Sequence, residues 1–395
     1  MSETLAVADV EPAARHPTVP WRRLALVYAG WSVAGHVVMY VAANIADATY
    51  PTPVARPEWL APTTAWDGGW YWWIAEDGYA ADPRLTAYFP VLPGLLRAFA
   101  VVGIGTPVAT LVITTVAGFA AVVALHELVA DRHGAGVAGR TVVLFLVFPW
   151  SLFLYATYTE ALVCAFAFGS FLAAQRARWV LAFVLAGLAS GCRPAGTFVG
   201  VFVVLLYLRD RGWSWRRLDR AGLAIPLAVA GVLAYMAYLH VRFDNAFDFV
   251  DAYERAGAEG NGDGFAPNVV ASVAASVDRI GAWWHEQPRG WADAVVIELT
   301  GLVPWLVAAA VAAAAWWRRT VDRWWTAYAA VGIAAAAVDG TFVAANRSLL
   351  PLFGLFGAVA VWVDRRPGVY AAVVAVSTAL LGVYTARFGA QLWAG

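Results

Sequence analysis

Long apolar runs dominate this chain, punctuated by short clusters of charged residues, proline and glycine. A hydrocarbon layer of roughly 30 Å is crossed by about 20 apolar residues of helix, so each long run predicts a membrane-spanning helix. The runs lie near 24–46, 106–129, 139–156, 158–175, 179–192, 194–208, 221–241, 293–317, 324–344, 348–364 and 369–388. A further run, 91–104, is shorter and carries Arg97, and Pro90 and Pro93 argue against a regular helix before about residue 93.

Arginine positions decide how that short run is read, because short cytoplasmic loops retain basic residues. Arg15, Arg22 and Arg23 precede the first run and place the N-terminus inside. If 91–104 does not cross, then Arg132 and Arg140, Arg176 and Arg178, the group from Arg209 to Arg220, Arg318 to Arg323, and Arg365 and Arg366 all fall inside. The pattern predicts an all-α polytopic integral membrane protein of about 11 transmembrane helices plus a re-entrant or interfacial segment at 91–104. Residues 1–23 form a cytoplasmic tail, 24–388 a single membrane domain, and 389–395 a short external tail. Loops 47–90 and 242–292 lie outside and are acid-rich, and Gly257–Gly264 reads as a flexible, turn-rich stretch. The first run lacks a small-residue cleavage site, so no cleaved signal peptide is expected.

Composition sharpens the class. Of 395 residues 61% are apolar and 14% charged, and the mean hydropathy is +0.64, which excludes both a water-soluble globule and a disordered chain. The 27 basic and 27 acidic residues cancel, leaving no charge excess to attract nucleic acid. Every basic residue is arginine, a bias we assign to genome composition. Cys164 and Cys192 sit in apolar runs and read as small packing residues.

Charged groups at membrane depth are costly and tend to be paired or functional, and here they converge on the predicted outer face. Asp67, Glu76 and Asp77 lie in the first external loop, Thr157-Tyr158-Thr159-Glu160 form a tight external turn, Arg193 is the tip between two short spans, and Asn346 and Arg347 end another. Spans of about 15 residues reach roughly 22 Å, so Arg193 sits below the outer surface. It either snorkels to head groups or bonds a carbonyl, or it holds a phosphate with its planar fork. The segment from Trp66 to Tyr79 is the most informative. Trp72 and Trp73 read as interfacial anchors. Asp67 precedes Gly68 and Gly69, whose backbone lets a carboxylate approach a ligand, and the nearby aromatic faces suit sugar rings. Partial desolvation between aromatics suits such a carboxylate to accept a proton. His36, His126, His240 and Met39 read as packing or interfacial groups, and the Gly187–Gly191 spacing as close helix contact within the monomer.

Taken together, Trp66-Asp67, Trp70-Tyr71, Ile74-Ala75, Gly78-Tyr79, Phe89-Pro90 and Pro93 resemble the PIG-V type of mannosyltransferase within the GT-C class of polytopic glycosyltransferases. Tyr158-Thr159-Glu160, Arg193-Pro194 with Gly196, and Arg347 followed by Pro351 agree in order, so scattered motifs cover roughly residues 60–365. The resemblance implies a polyprenyl-phosphate-linked sugar as donor, usually mannose, with inverting transfer to a lipid-linked or protein acceptor on the extracytoplasmic face of the cell membrane. It implies Asp67 as catalytic base, Arg193 and Arg347 as stabilisers of the departing phosphate, and Glu160 as a residue orienting the sugar or an arginine. Glu76 and Asp77 would serve the acceptor side, and Trp66, Trp70, Tyr71 and Tyr79 the substrate. No cofactor is certain; a divalent metal between these acids and Asp67 is compatible with the set, although no His-rich ligand group accompanies it. The chain departs from the pattern at Cys192, where a hydroxyl residue is more usual, and at Ser348, where an aromatic is common. The competing expectation is a transporter or lipid flippase, whose polar site would lie near the midplane; Glu298 and Asp339 are its few candidates.

Overall fold

The computed structural model describes residues 19–48, 57–253, 269–286, 291–337, 342 and 345–392, and everything regular among them is helical. The helices are α1 (Trp21–Ile45), α2 (Gly68–Asp77), α3 (Val91–Val101), α4 (Thr106–Leu146), α5 (Glu160–Gln175), α6 (Trp179–Ser190), α7 (Thr197–Asp210), α8 (Ala230–Phe243), α9 (Val269–Glu286), α10 (Trp291–Arg318), α11 (Arg323–Ala335), α12 (Phe353–Val363) and α13 (Pro367–Gly389). Five segments are long and apolar enough to cross a membrane: α1, α4, Arg220–Phe243, Glu298–Arg318 and α13. Four shorter helices, α3, α5, α6 and α12, are also apolar. In hydrocarbon every backbone group must be satisfied within the segment, and the helices among the described residues meet that demand.

The expected span 106–129 and the first half of 139–156 occur within the single run α4, broken at Gly134 (φ +82°); α4 ends at Leu146, and the rest of the second span is turn and a short 3-10 segment at Ser151–Leu154. Thr110 near its start accepts the Trp72 indole N–H, and the Thr157 amide beyond its end donates to Thr63 O. Both contacts reach the Asp67 loop, so the chain travels away from that loop and returns, reversing at Gly134. A left-handed backbone there costs little only for glycine.

Helix α3 begins at Val91, two residues before the expected start. The first turn of a helix has no internal partners for its N–H groups, so Pro93 removes nothing there. The Val91 N–H is instead taken by Gly191 O, which ties α3 to the end of α6. Eleven residues of helix reach roughly 16 Å, too little to cross. A second difference is α9, an 18-residue helix inside the stretch expected to be a loop. It is pinned by buried Glu298 of α10, which pairs with Arg279 at 2.8 Å and with Ser276. Gly257–Gly264 and Asp339 lie outside the described residues.

Arginines expected on one side do gather at one end of the bundle. Arg132 pairs with Asp322, Arg140 with Asp364, and Arg176 with Glu127 at 2.5 Å and Asp131 at 3.0 Å. Close helix contact at Gly187 and Gly191 is internal: a Cβ on Gly231 of α8 would lie 2.2 Å from Gly187 O and 2.5 Å from Gly191 N. Gly231→Val must therefore push α8 off α6 and disturb the carbonyl that caps α3. We expect a loss of about 1–3 kcal/mol or more, read as a lower midpoint of thermal unfolding in detergent. An unchanged midpoint would remove this contact from the account.

Candidate functional site

Asp67 is displayed by a strained turn. Trp66, just before it, has φ +55°, a left-handed conformation uncommon outside glycine. The Tyr158 hydroxyl holds both sides of that turn, donating to Ala65 O at 3.1 Å and accepting from the Asp67 N–H at 3.1 Å. Gly68 passes against the 157 turn, where a Cβ would already be 3.3 Å from Thr157 and from Thr63 O. Asp67 sits at the N-cap position of α2 without capping it, so both carboxylate oxygens point elsewhere. Its Oδ1 accepts from Tyr88 at 3.2 Å and its Oδ2 from Arg347 Nη1 at 2.7 Å. Burial, and then the negative charge of Asp67, push the Tyr88 hydroxyl well above the ordinary tyrosine range, so it stays protonated and keeps donating.

Arg347 arrives 280 positions later in the chain. Its guanidinium lies over the rings of Tyr158 and Phe153, 5.4 and 5.8 Å from their centroids, and its side chain is 13% exposed. Neighbouring Asn346 donates to Thr300 O at 2.7 Å and fixes the segment. Arg347 Nε is 3.7 Å from Glu160 Oε1, and the same oxygen receives Arg193 Nη1. Glu160 opens α5 and is 2% exposed, while Arg193 stands on extended backbone (φ −160°) ahead of Pro194, as a residue before proline prefers. Two carboxylates and two guanidiniums thus alternate in one row, Asp67–Arg347–Glu160–Arg193, with no net charge. The row leaves hydrogen-bonding capacity unused: Glu160 Oε2 and Arg347 Nε are buried without partners. A buried group in that condition is costly unless something supplies the missing contact.

Two spaces flank the row. A small cleft on the Asp67 side is lined by Tyr71, Tyr88, Cys192, Pro194 and Tyr253 together with Asp67, Glu160, Arg193 and Arg347. On the other side Glu160 and Arg193 bound a cavity of about 120 Å³, lined also by Val163, Phe198, Tyr328, Gly332, Ser348 and Leu352. The two departures noted in the sequence, Cys192 and Ser348, therefore each line one of these spaces.

The structure brings Asp67, Tyr71, Glu160, Arg193 and Arg347 together. It does not bring in Glu76 and Asp77, which are exposed at the far end of α2, about 15 Å of helix from Asp67. One cation cannot bridge them to Asp67, and among the described residues no group of three or more His, Cys, Asp or Glu gathers at ligand spacing. Tyr79 serves a neighbouring cluster with Phe89 and Tyr235, and its hydroxyl donates to Tyr88 O at 2.8 Å, placing Tyr88 rather than a substrate. Trp70 is stacked on Trp73, with Arg84 over its ring, beside Tyr88. Trp66 stays outside the cleft. Trp72, read as an anchor, is fully buried. Tyr158 stands in the Tyr158-Thr159-Glu160 motif, though the sequence assigns it no role, and nothing in the sequence points to Tyr88 or Tyr253; a lone tyrosine among so many aromatics carries no signal of its own. Glu298 is occupied by Arg279 and Ser276 in holding α9.

No family model matches the chain, and no curated protein matches it. Among solved structures it is similar to the crystal structure of ArnT from Cupriavidus metallidurans bound to undecaprenyl phosphate, at 14% identity over 91% of this chain and 75% of that one, with a TM-score of 0.46.

Proposed function

We propose that this chain is a GT-C-type membrane glycosyltransferase that moves a sugar, mannose by its first-loop motif, from a polyprenyl-phosphate donor to a hydroxyl of a lipid-linked or protein acceptor. The observation that carries the reading is the buried row Asp67–Arg347–Glu160–Arg193 at the meeting of a polar cleft and a largely apolar cavity. An ionised carboxylate offers about four lone-pair sites, and Asp67 uses two, so an acceptor hydroxyl can donate to it without displacing Arg347 or Tyr88. As the acceptor oxygen bonds to the anomeric carbon, its proton passes to Asp67. The bond from that carbon to the phosphate oxygen breaks and the phosphate leaves with the electron pair, inverting the centre. Arg193 and Arg347 meet the charge that develops there. Glu160 Oε2 then accepts from one ring hydroxyl of the transferred sugar. A divalent metal remains compatible with the reaction, and no step above depends on one. The same reading keeps eleven crossings, the N-terminus in the cytoplasm and transfer on the extracytoplasmic face.

The test is transfer of radiolabelled mannose from polyprenyl-phosphate mannose by purified protein in proteoliposomes. Labelled product is expected; solute uptake with no covalent transfer would favour the transporter reading. Deoxy donors refine the test. One analogue should lose roughly 10- to 100-fold in kcat/KM with the native protein, since hydrogen bonds to charged groups are worth about 1.5–3 kcal/mol. That penalty should shrink in Glu160→Gln. Equal penalties in both proteins would take the sugar contact away from Glu160.

A further inference from the structure

A further cavity with charged groups in its wall is not beside Asp67. It lies at the other end of the same three helices, where the C-termini of α5 and α7 meet the N-terminus of α11, and holds about 160 Å³. From Glu160 to Gln175, α5 separates it from the row described above by roughly 22 Å, and the rings of Phe171, Tyr328 and Phe353 pack between.

Its hydrogen-bonding groups are unevenly used. Asp322 is engaged through both oxygens: Oδ2 takes Arg132, and Oδ1 takes the Trp324 N–H at 2.7 Å as the cap of α11. Arg132 is spent on Asp322 and Gln175. Asp210 pairs with Arg211 at 3.1 Å. What remains is donors. Arg209 lies over Trp324, 5.3 Å from its centroid, and no carboxylate among the described residues pairs with it. Trp179, 8% exposed, has a buried Nε1–H without a partner. The cavity's charged lining, Arg132 and Arg209 against Asp210 and Asp322, is therefore balanced, and within it stand a guanidinium that no carboxylate pairs and a buried indole donor. Tryptophan and arginine at a helix end are also what a lipid head-group region selects.

We infer that this cavity is a second phosphate site, separate from the Asp67 cleft, which takes the phosphate of an anionic phospholipid head group from the leaflet opposite that cleft. Arg209 supplies the charge-assisted contact and Trp179 a single donor, with the acyl chains lying outside along α7 and α11. The inference stands whether or not the glycosyltransferase reading does.

Native mass spectrometry of the delipidated full chain in detergent tests it, with short-chain phosphatidylglycerol, inorganic phosphate and uncharged diacylglycerol as probes. Phosphatidylglycerol should bind and diacylglycerol should not. Arg209→Gln should weaken binding about tenfold or more and Trp179→Phe by about three- to fivefold. Asp210→Asn should strengthen it, a gain that a misfolded protein would not produce. Displacement of phosphatidylglycerol by inorganic phosphate at equal concentration would mean the head group alone is read. Equal phosphatidylglycerol binding by the native protein and all three variants would overturn the site, as would equal binding of diacylglycerol.

Discussion

Asp67→Asn is expected to lower the transfer rate by about 10²- to 10⁴-fold, the usual contribution of a positioned general base. The fold should survive, because the asparagine carbonyl can still accept from Tyr88 or Arg347, and Asp67 is the most exposed member of the row at 29%. Two measurements separate the cases: single-turnover transfer from polyprenyl-phosphate mannose, and binding of the donor. Lost turnover with retained donor binding fits a base. Full activity would mean that the acceptor proton leaves by another route and that Asp67 only fixes Arg347.

Arg347→Ala should be worse for the protein than for the reaction alone. It leaves Glu160, 2% exposed, with Arg193 as its one remaining counter-charge in the row, and Asp67 with none there. Breaking a buried pair by removing one partner costs about 3–5 kcal/mol. We expect a steep fall in folded yield and a lower unfolding midpoint, against a small change for Arg347→Lys. Lysine keeps the charge but not the planar fork, so its signature is a raised donor KM in a stable protein. A stable, active Arg347→Ala protein would show that the row is not held together as the geometry indicates.

Much of this site is legible in the chain because its charged members are conspicuous. Glu160, Arg193 and Arg347 stand alone at the ends of apolar runs, and once arginine counting fixes which ends share a side, their meeting with Asp67 follows. Tyr88 is hidden, and Tyr158 is visible only as part of a motif, because the role of each lies in a hydroxyl at the right distance, which no local pattern records. Glu76 and Asp77 mislead for the opposite reason: nearness in sequence to Asp67 becomes separation in space once α2 forms. α9 is obscured by its alternation of alanine, valine and serine, which resembles a loop until Glu298 supplies a partner for Arg279. The early start of α3 depends on the Gly191 carbonyl just past α6 accepting the Val91 N–H, a contact across about a hundred positions.

The distance along the chain between Asp67 and Arg347 also sets an order of assembly. Synthesis runs from the N-terminus, so from residue 193 until residue 347 is made the chain holds two acids and a single arginine of the row. Arg347 enters late and finds its counter-charges already waiting, which lowers the cost of taking a guanidinium out of water at that moment. Until then the nascent protein carries an excess of buried negative charge beside Phe153 and Tyr158. A chain stalled or cut before residue 347 would keep that defect permanently and be open to proteolysis, so cells should accumulate either the finished protein or very little of it.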